Sequence, residues 1–120
     1  MINIIEKSRE FNDVETYLMT IAPSITSIKD VEEGAKIEVD GYLVFDDVKE
    51  NGDTSEIMSI ITTDKKVYST QSATFKRSLK DIATIMNING KPFTIVKING
   101  ETKAGRPFVN CILDIESLLN

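Results

Sequence analysis

The 120-residue chain predicts a mainly β domain with two helices: a five-stranded barrel, a helix between its third and fourth strands, and an extra amino-terminal helix. Three observations predict it. Ile37, Val39, Leu43 and Phe45 alternate with Glu38, Asp40, Tyr42 and Asp46, and Gly41 falls in phase with the apolar set, as where one long strand bends. The order of runs is strand, strand, strand, helix, strand, strand. Finally, two apolar-rich runs between Pro92 and Asp114 flank Gly100, Lys103, Gly105 and Arg106, the pattern of a long β-hairpin with a basic tip. The chain reads as one domain, with residues 1–26 a helical appendage, 27–114 the barrel and 115–120 a short carboxy-terminal segment.

Ile2, Ile4 and Ile5 open a segment that is either an added edge strand or the lead into a helix. Asn12 is a helix cap, with Glu15 in capping-box position, and Val14, Tyr17, Leu18 and Ile21 mark an apolar face before Pro23 stops the helix. After the bent strand, Asn51-Gly52 is a hairpin turn. Its acids lack the spacing of a calcium loop. Glu56 to Thr63 is β-branched and strand-like, and Lys66 to Thr70 is a short third strand. There Lys66 and Tyr68 share a face, which reads either as a stacking platform for a base or as a partly buried tyrosine. Ser72 or Thr74 caps a second helix lined by Phe75, Leu79, Ile82, Ala83 and Met86, which Gly90 ends. Its Lys76, Arg77 and Lys80 read more simply as a solvated face than as phosphate contacts. An oligonucleotide-binding (OB) barrel has this order of elements. A β-grasp arrangement is the competitor, and the bent strand and long hairpin favour the barrel.

Strand parity divides the hairpin into two faces. A turn centred on Thr102 and Lys103 would pair Lys97 with Phe108. One face would then gather Thr94, Val96, Ile98, Val109, Cys111 and Leu113 as core. The other would gather Phe93, Ile95, Lys97, Phe108, Asn110 and Ile112. Because lysine is rarely interior, the second face is expected outside. It is either a binding surface or a small second core beneath the amino-terminal helix.

Composition narrows the chemistry. There is no histidine and one cysteine, Cys111, which excludes the usual zinc sites and histidine-activated nucleophiles and is consistent with a reducing cytoplasm. No phosphate-binding glycine motif, signal peptide or membrane-spanning run is present, so no enzyme, cofactor, metal or membrane association is expected. The net charge of −5 is unevenly spread. Residues 1–60 hold 5 basic and 14 acidic residues, whereas residues 61–120 hold 9 basic and 5 acidic. Phosphate affinity follows local rather than total potential. The split therefore reads as a basic binding surface or as two solvated faces of opposite sign.

SIKDVEEGAKIEVDGYLVF, VYSTQSATFKRSLKDI and FTIVKINGETKAGRPFVNCIL resemble single-stranded DNA-binding proteins of tailed phages of Gram-positive bacteria, most tellingly at Thr102 to Phe108. The resemblance covers most of the chain from Ser27 onward. It implies an OB fold that coats single-stranded DNA during phage replication or recombination, without catalysis, cofactor or metal, in the cytoplasm of the infected cell. Members of the wider class end in an acidic recruiting tail. Here the end, DIESLLN, is short and partly apolar, so a dimerising or docking segment is the alternative, with homo-oligomers and phage replication proteins as further partners. The expected nucleic-acid contacts are Lys65, Lys66, Lys97, Lys103 and Arg106 to phosphates, and Tyr68 and Phe108 to bases. The competing reading is an acidic, DNA-mimicking or regulatory protein that docks a host or phage protein through its amino-terminal half.

Overall fold

The computed structural model describes residues 1–86 and 91–116. Its elements are β1 (Ile2–Lys7), α1 (Asp13–Thr20), β2 (Thr26–Ser27), a 3-10 turn at Ile28–Asp30, β3 (Lys36–Val48), β4 (Thr54–Thr62), β5 (Val67–Thr70), α2 (Ala73–Met86), β6 (Phe93–Glu101) and β7 (Pro107–Leu113). The expected stop at Gly90 and the docking segment beyond Glu116 lie outside the described residues.

β3 organises the fold. Residues 36–39 pair with β6, and from Val39 onward the opposite edge pairs with β4, with a break in register between Val39 and Gly41. The glycine-bent strand thus serves both halves of the barrel, as its alternation predicts. Gly41 also admits close packing: a methyl group there would stand 2.9 Å from Phe11 Cζ and 3.2 Å from Arg9 Nε. The edge that β6 leaves free is taken by β1, which pairs with residues 43–47. The sheet runs β2-β5-β4-β3-β6-β7 and curls into a half-barrel of OB type. The strand count is corrected from five to seven. Beyond the expected five, β1 is the added edge strand, and the two-residue β2 lies parallel to β5.

α2 plugs the interior, burying Phe75, Leu79 and Ala83 against Ile28, Val44, Met58, Ile60, Phe93, Ile95 and Cys111. Ser72 Oγ accepts the Phe75 amide at 3.2 Å, the capping expected of it, and donates to the Val109 carbonyl at 3.1 Å. One hydroxyl therefore caps α2 and joins the β5 end of the sheet to β7.

A second core lies on the other face of the same strands. Met19 of α1 packs on Leu43, Phe45, Ile61 and Val67, with Phe11, Leu18 and Ile57 around them. Residues 41–45 of β3 and 58–62 of β4 are consequently buried on both faces. The expected face of α1 is corrected. Glu15 and Met19 point inward and Leu18 is partly buried, while Val14 and Ile21 are 67% and 63% exposed and Tyr17 lies outside with them. The cause is electrostatic and steric together. Asn12 and Glu15 form the predicted capping box, but Glu15 also meets Arg9 and Lys65, which turns its side of the helix toward the sheet.

The hairpin register is also corrected. Lys97 pairs with Cys111 and Gly100 with Phe108, three residues away from the expected pairing. The odd shift reverses the faces of β6: Phe93, Ile95 and Lys97 point inward with Cys111, while Val96, Ile98, Phe108 and Ile112 share the outer side. Lysine misled the parity argument because its stem packs in the core while Nζ reaches the Val31 carbonyl.

Candidate nucleic-acid interface

Between the two ends of the curled sheet lies a groove of about 910 Å³. One wall is Ser27 and Lys29, at β2 and the 3-10 turn, with Thr70, Gln71 and Ser72 where β5 passes into α2. The facing wall is the base of the hairpin, Lys97, Asn99 to Glu101 and Pro107 to Val109. The sheet leaves this gap because β5 and β7 are joined by the Ser72 side chain instead of by ladder pairing.

The wall carrying Lys29 is tied to β6 by backbone and side chain. Gly34 N–H donates to the Lys97 carbonyl at 2.8 Å, Lys97 N–H to the Ala35 carbonyl at 3.0 Å, and Asn99 N–H to Glu33 Oε2 at 3.0 Å. Lys97 adds its ammonium to the Val31 carbonyl. Lys97 is therefore corrected from an exposed residue opposite Phe108 to an interior brace, 2% exposed.

The tip beyond the groove is a turn centred on Lys103 and Ala104. Gly105 N–H donates to the Thr102 carbonyl at 2.8 Å, and Gly105 follows at φ +80, a conformation glycine adopts freely. Thr102 closes the loop, its amide bonding the Arg106 carbonyl and its hydroxyl accepting the Arg106 amide. Lys103 and Arg106 are both exposed, and among the described residues neither has an acidic partner; the same holds for Lys29. Phe108 borders the groove, partly exposed, against Gly100 of the neighbouring strand.

The other expected contacts lie elsewhere. Lys65 pairs with Glu15 at 2.9 Å, and the same carboxylate takes Arg9 at 3.0 Å. These two cations, Arg9 foremost, hold the Glu15 carboxyl at about 2. Arg9 reaches Asp40 at 2.9 Å as well and stacks over Phe11, 4.4 Å from the ring centroid. Lys66 is exposed near Asp64 at 3.9 Å, in the β4–β5 turn. Tyr68 is half-buried between β2 and β4, packed against the barrel core. In α2, Lys76 pairs with Glu56 and Lys80 with Glu6, and Arg77 is exposed. Cys111 is buried, which pushes its thiol up to about 12 and makes it unreactive. Among the described residues no helix is long and apolar enough to cross a membrane.

The structure thus places Phe108 on the groove wall with Lys103 and Arg106 at the tip beyond it, leaves Lys97 in the groove lining but with its ammonium turned to the Val31 carbonyl, and ties Lys65 to Glu15. Sequence reasoning missed Lys29, Gln71 and Asn99. Lys29 is brought there by the two-residue parallel pairing of β2 with β5, Thr26 to Tyr68 and Ser27 to Ser69, which leaves no periodic signal. Residues 12–114 match the family described as Phage Single-stranded DNA-binding protein. No curated protein and no solved structure matches the chain.

Proposed function

The chain belongs to the phage single-stranded DNA-binding protein family, and from that premise we propose that it holds single-stranded DNA along the groove beside the hairpin. The carrying observation is a contrast in the basic residues. Lys29 lines an open groove and Lys103 and Arg106 stand at the tip beyond it, all without acidic partners among the described residues, whereas Lys65 and Arg9 are tied up by Glu15. OB barrels commonly bind along the face of their second and third strands, here β4 and β5. That face is occupied by α1, which favours the groove as the path of the strand.

Lys29, Lys103 and Arg106 follow the phosphates, and Phe108 stacks on a base; Lys66 and the edge of Tyr68 extend the path along β5. Binding is largely independent of sequence because ring stacking and phosphate contact do not read base edges. The role is to coat and protect single strands during phage DNA replication or recombination in the bacterial cytoplasm, without catalysis. Titration of a fluorescent oligo-dT at low salt tests this. Binding should weaken with added salt, with a logarithmic slope of about −0.7 for each phosphate neutralised. Absence of binding at micromolar protein overturns the proposal.

One observation favours a second reading, docking of a phage replication protein on α1: Val14, Tyr17 and Ile21 stand exposed on one side of that helix. Purified replication proteins titrated against the wild type and Tyr17→Asp, with nuclease present, separate protein docking from bridging by DNA.

A further inference from the structure

Gly100 has no backbone reason to be glycine. Gly34, Gly52 and Gly105 adopt positive φ in turns, and Gly41 lies at the bend under Phe11, but Gly100 sits inside β6 without a positive φ. Inside a strand, glycine costs stability and gives up a side chain. What occupies the missing side chain's place is Phe108, its direct cross-strand partner. A methyl group on Gly100 would overlap Phe108 Cζ, and Cε2 and Cε1 would stand 2.9 and 3.0 Å away. The ring is therefore folded down across the neighbouring strand instead of standing away from the sheet.

We propose that Gly100 is a positioning residue that seats the Phe108 ring as a platform for one nucleobase at the groove. The inference rests on the groove being the DNA site. The seat matters because a stacking ring needs a fixed orientation, and a ring laid on bare backbone loses rotamer freedom before the base arrives. The same residues supply the backbone contact: Arg106 lies two positions before Phe108, and Lys103 is in the same exposed tip. Shielding of a strand glycine by an aromatic neighbour is a purely structural role with the same geometry. The two roles differ in what a base does to the ring.

The chain contains no tryptophan, so Phe108→Trp introduces a single indole at the platform. With Gly100 present, oligo-dT should quench its fluorescence. Adding Gly100→Ala should abolish most of the quenching and weaken binding about tenfold. In the native background, Gly100→Ala and Phe108→Leu should each weaken binding about tenfold, and the double variant no more than either alone. Phe108→Leu keeps an apolar cover over Gly100, so it tests the ring even if Gly100→Ala fails to fold. Phe108→Tyr should restore affinity. If the wild type binds oligo-dT while Phe108→Leu binds equally well, or the indole is not quenched, the platform is overturned and the groove proposal stands. If the wild type does not bind, the groove proposal itself fails.

Discussion

The α1 side of the barrel and the hairpin side carry the same kinds of residue and use them in opposite ways. Beneath and beside α1, Arg9 stacks on Phe11, Lys65 meets Glu15, and Asp40 takes the remaining guanidinium edge. These charges are paired with one another, and the aromatic ring packs over Gly41 at the bend of β3. At the hairpin, Lys103 and Arg106 extend from a glycine turn without counter-charges among the described residues, and Phe108 lies on Gly100 beside an open groove. Opposite charge already in place offsets the attraction a phosphate would feel, so basic residues count toward binding only where they are unpaired. The lesson concerns the charge split as well. The positive half of the chain is not one surface, because Lys65, Lys76 and Lys80 are paired with acids from the negative half.

The largest effect should come from breaking the hairpin side. Lys103→Glu with Arg106→Glu should lower oligo-dT affinity by roughly tenfold to a hundredfold at low salt and flatten the salt dependence by about 1.4 in logarithmic slope. Both side chains are exposed, so thermal stability should change by no more than about 0.5 kcal/mol. Titrations at four salt concentrations with a melting curve check this. Unchanged affinity would remove the tip from the interface.

The α1 side should respond in the reverse manner. Glu15→Gln should cost about 2 kcal/mol of stability, between the limits for surface and buried ion pairs, while oligo-dT affinity stays within about twofold. Acid sharpens the test. The Glu15 carboxyl is lowered from 4.5 to about 2 in the fold, so its contribution is complete above pH 4.5 and is lost as pH falls through 2. The stability gap between wild type and variant should therefore be constant from pH 7 to 5 and close between pH 4.5 and 2. Denaturant melts across that range measure it.

How much of this contrast was legible depends on how local each signal is. The capping box at Asn12 and Glu15, the bend at Gly41 and the Phe75, Leu79, Ala83 face each involve residues a few positions apart, and all three appear as expected. The face of α1 was not legible, because it depends on Arg9 and Lys65 converging on Glu15 from other elements. Nor was the hairpin register: one lysine outweighed two aromatic and aliphatic neighbours in the parity argument, and only the Val31 carbonyl explains its burial. Of the candidate site, the tip could be read because a glycine-rich polar turn between strands has nowhere to go but solvent. The opposing wall could not, since two residues of β2 carry no period.

The seam between the two sides offers a smaller effect. Ser72 caps α2 and bonds the Val109 carbonyl, so Ser72→Ala loses both at once. A cost of about 1–2 kcal/mol is expected. Because the lost bond joins the groove walls, hydrogen exchange at the β7 amides should rise more than at β4. Equal protection in wild type and variant would mean that α2 packing alone holds the seam.

Lys97→Met should have the least effect and distinguishes the two accounts of that residue most directly. If Lys97 contacted a phosphate, losing it would shallow the salt slope by about 0.7. As an interior brace it contributes no such contact, and the slope should be unchanged. Stability pulls in two directions: methionine removes a buried ammonium that has no acidic partner among the described residues, yet it also leaves the Val31 carbonyl without its donor. These nearly cancel for a side chain of similar length, so a net change under about 1 kcal/mol is expected. Lys97→Ala separates packing from charge, because it loses the buried stem as well and should cost about 2 kcal/mol or more. A flat salt response in Lys97→Met, combined with a large melting shift only in Lys97→Ala, identifies the aliphatic stem as the part of Lys97 that matters. It would also show that a lysine in the basic half of this chain serves the core, while the unpaired cations at the tip serve the strand.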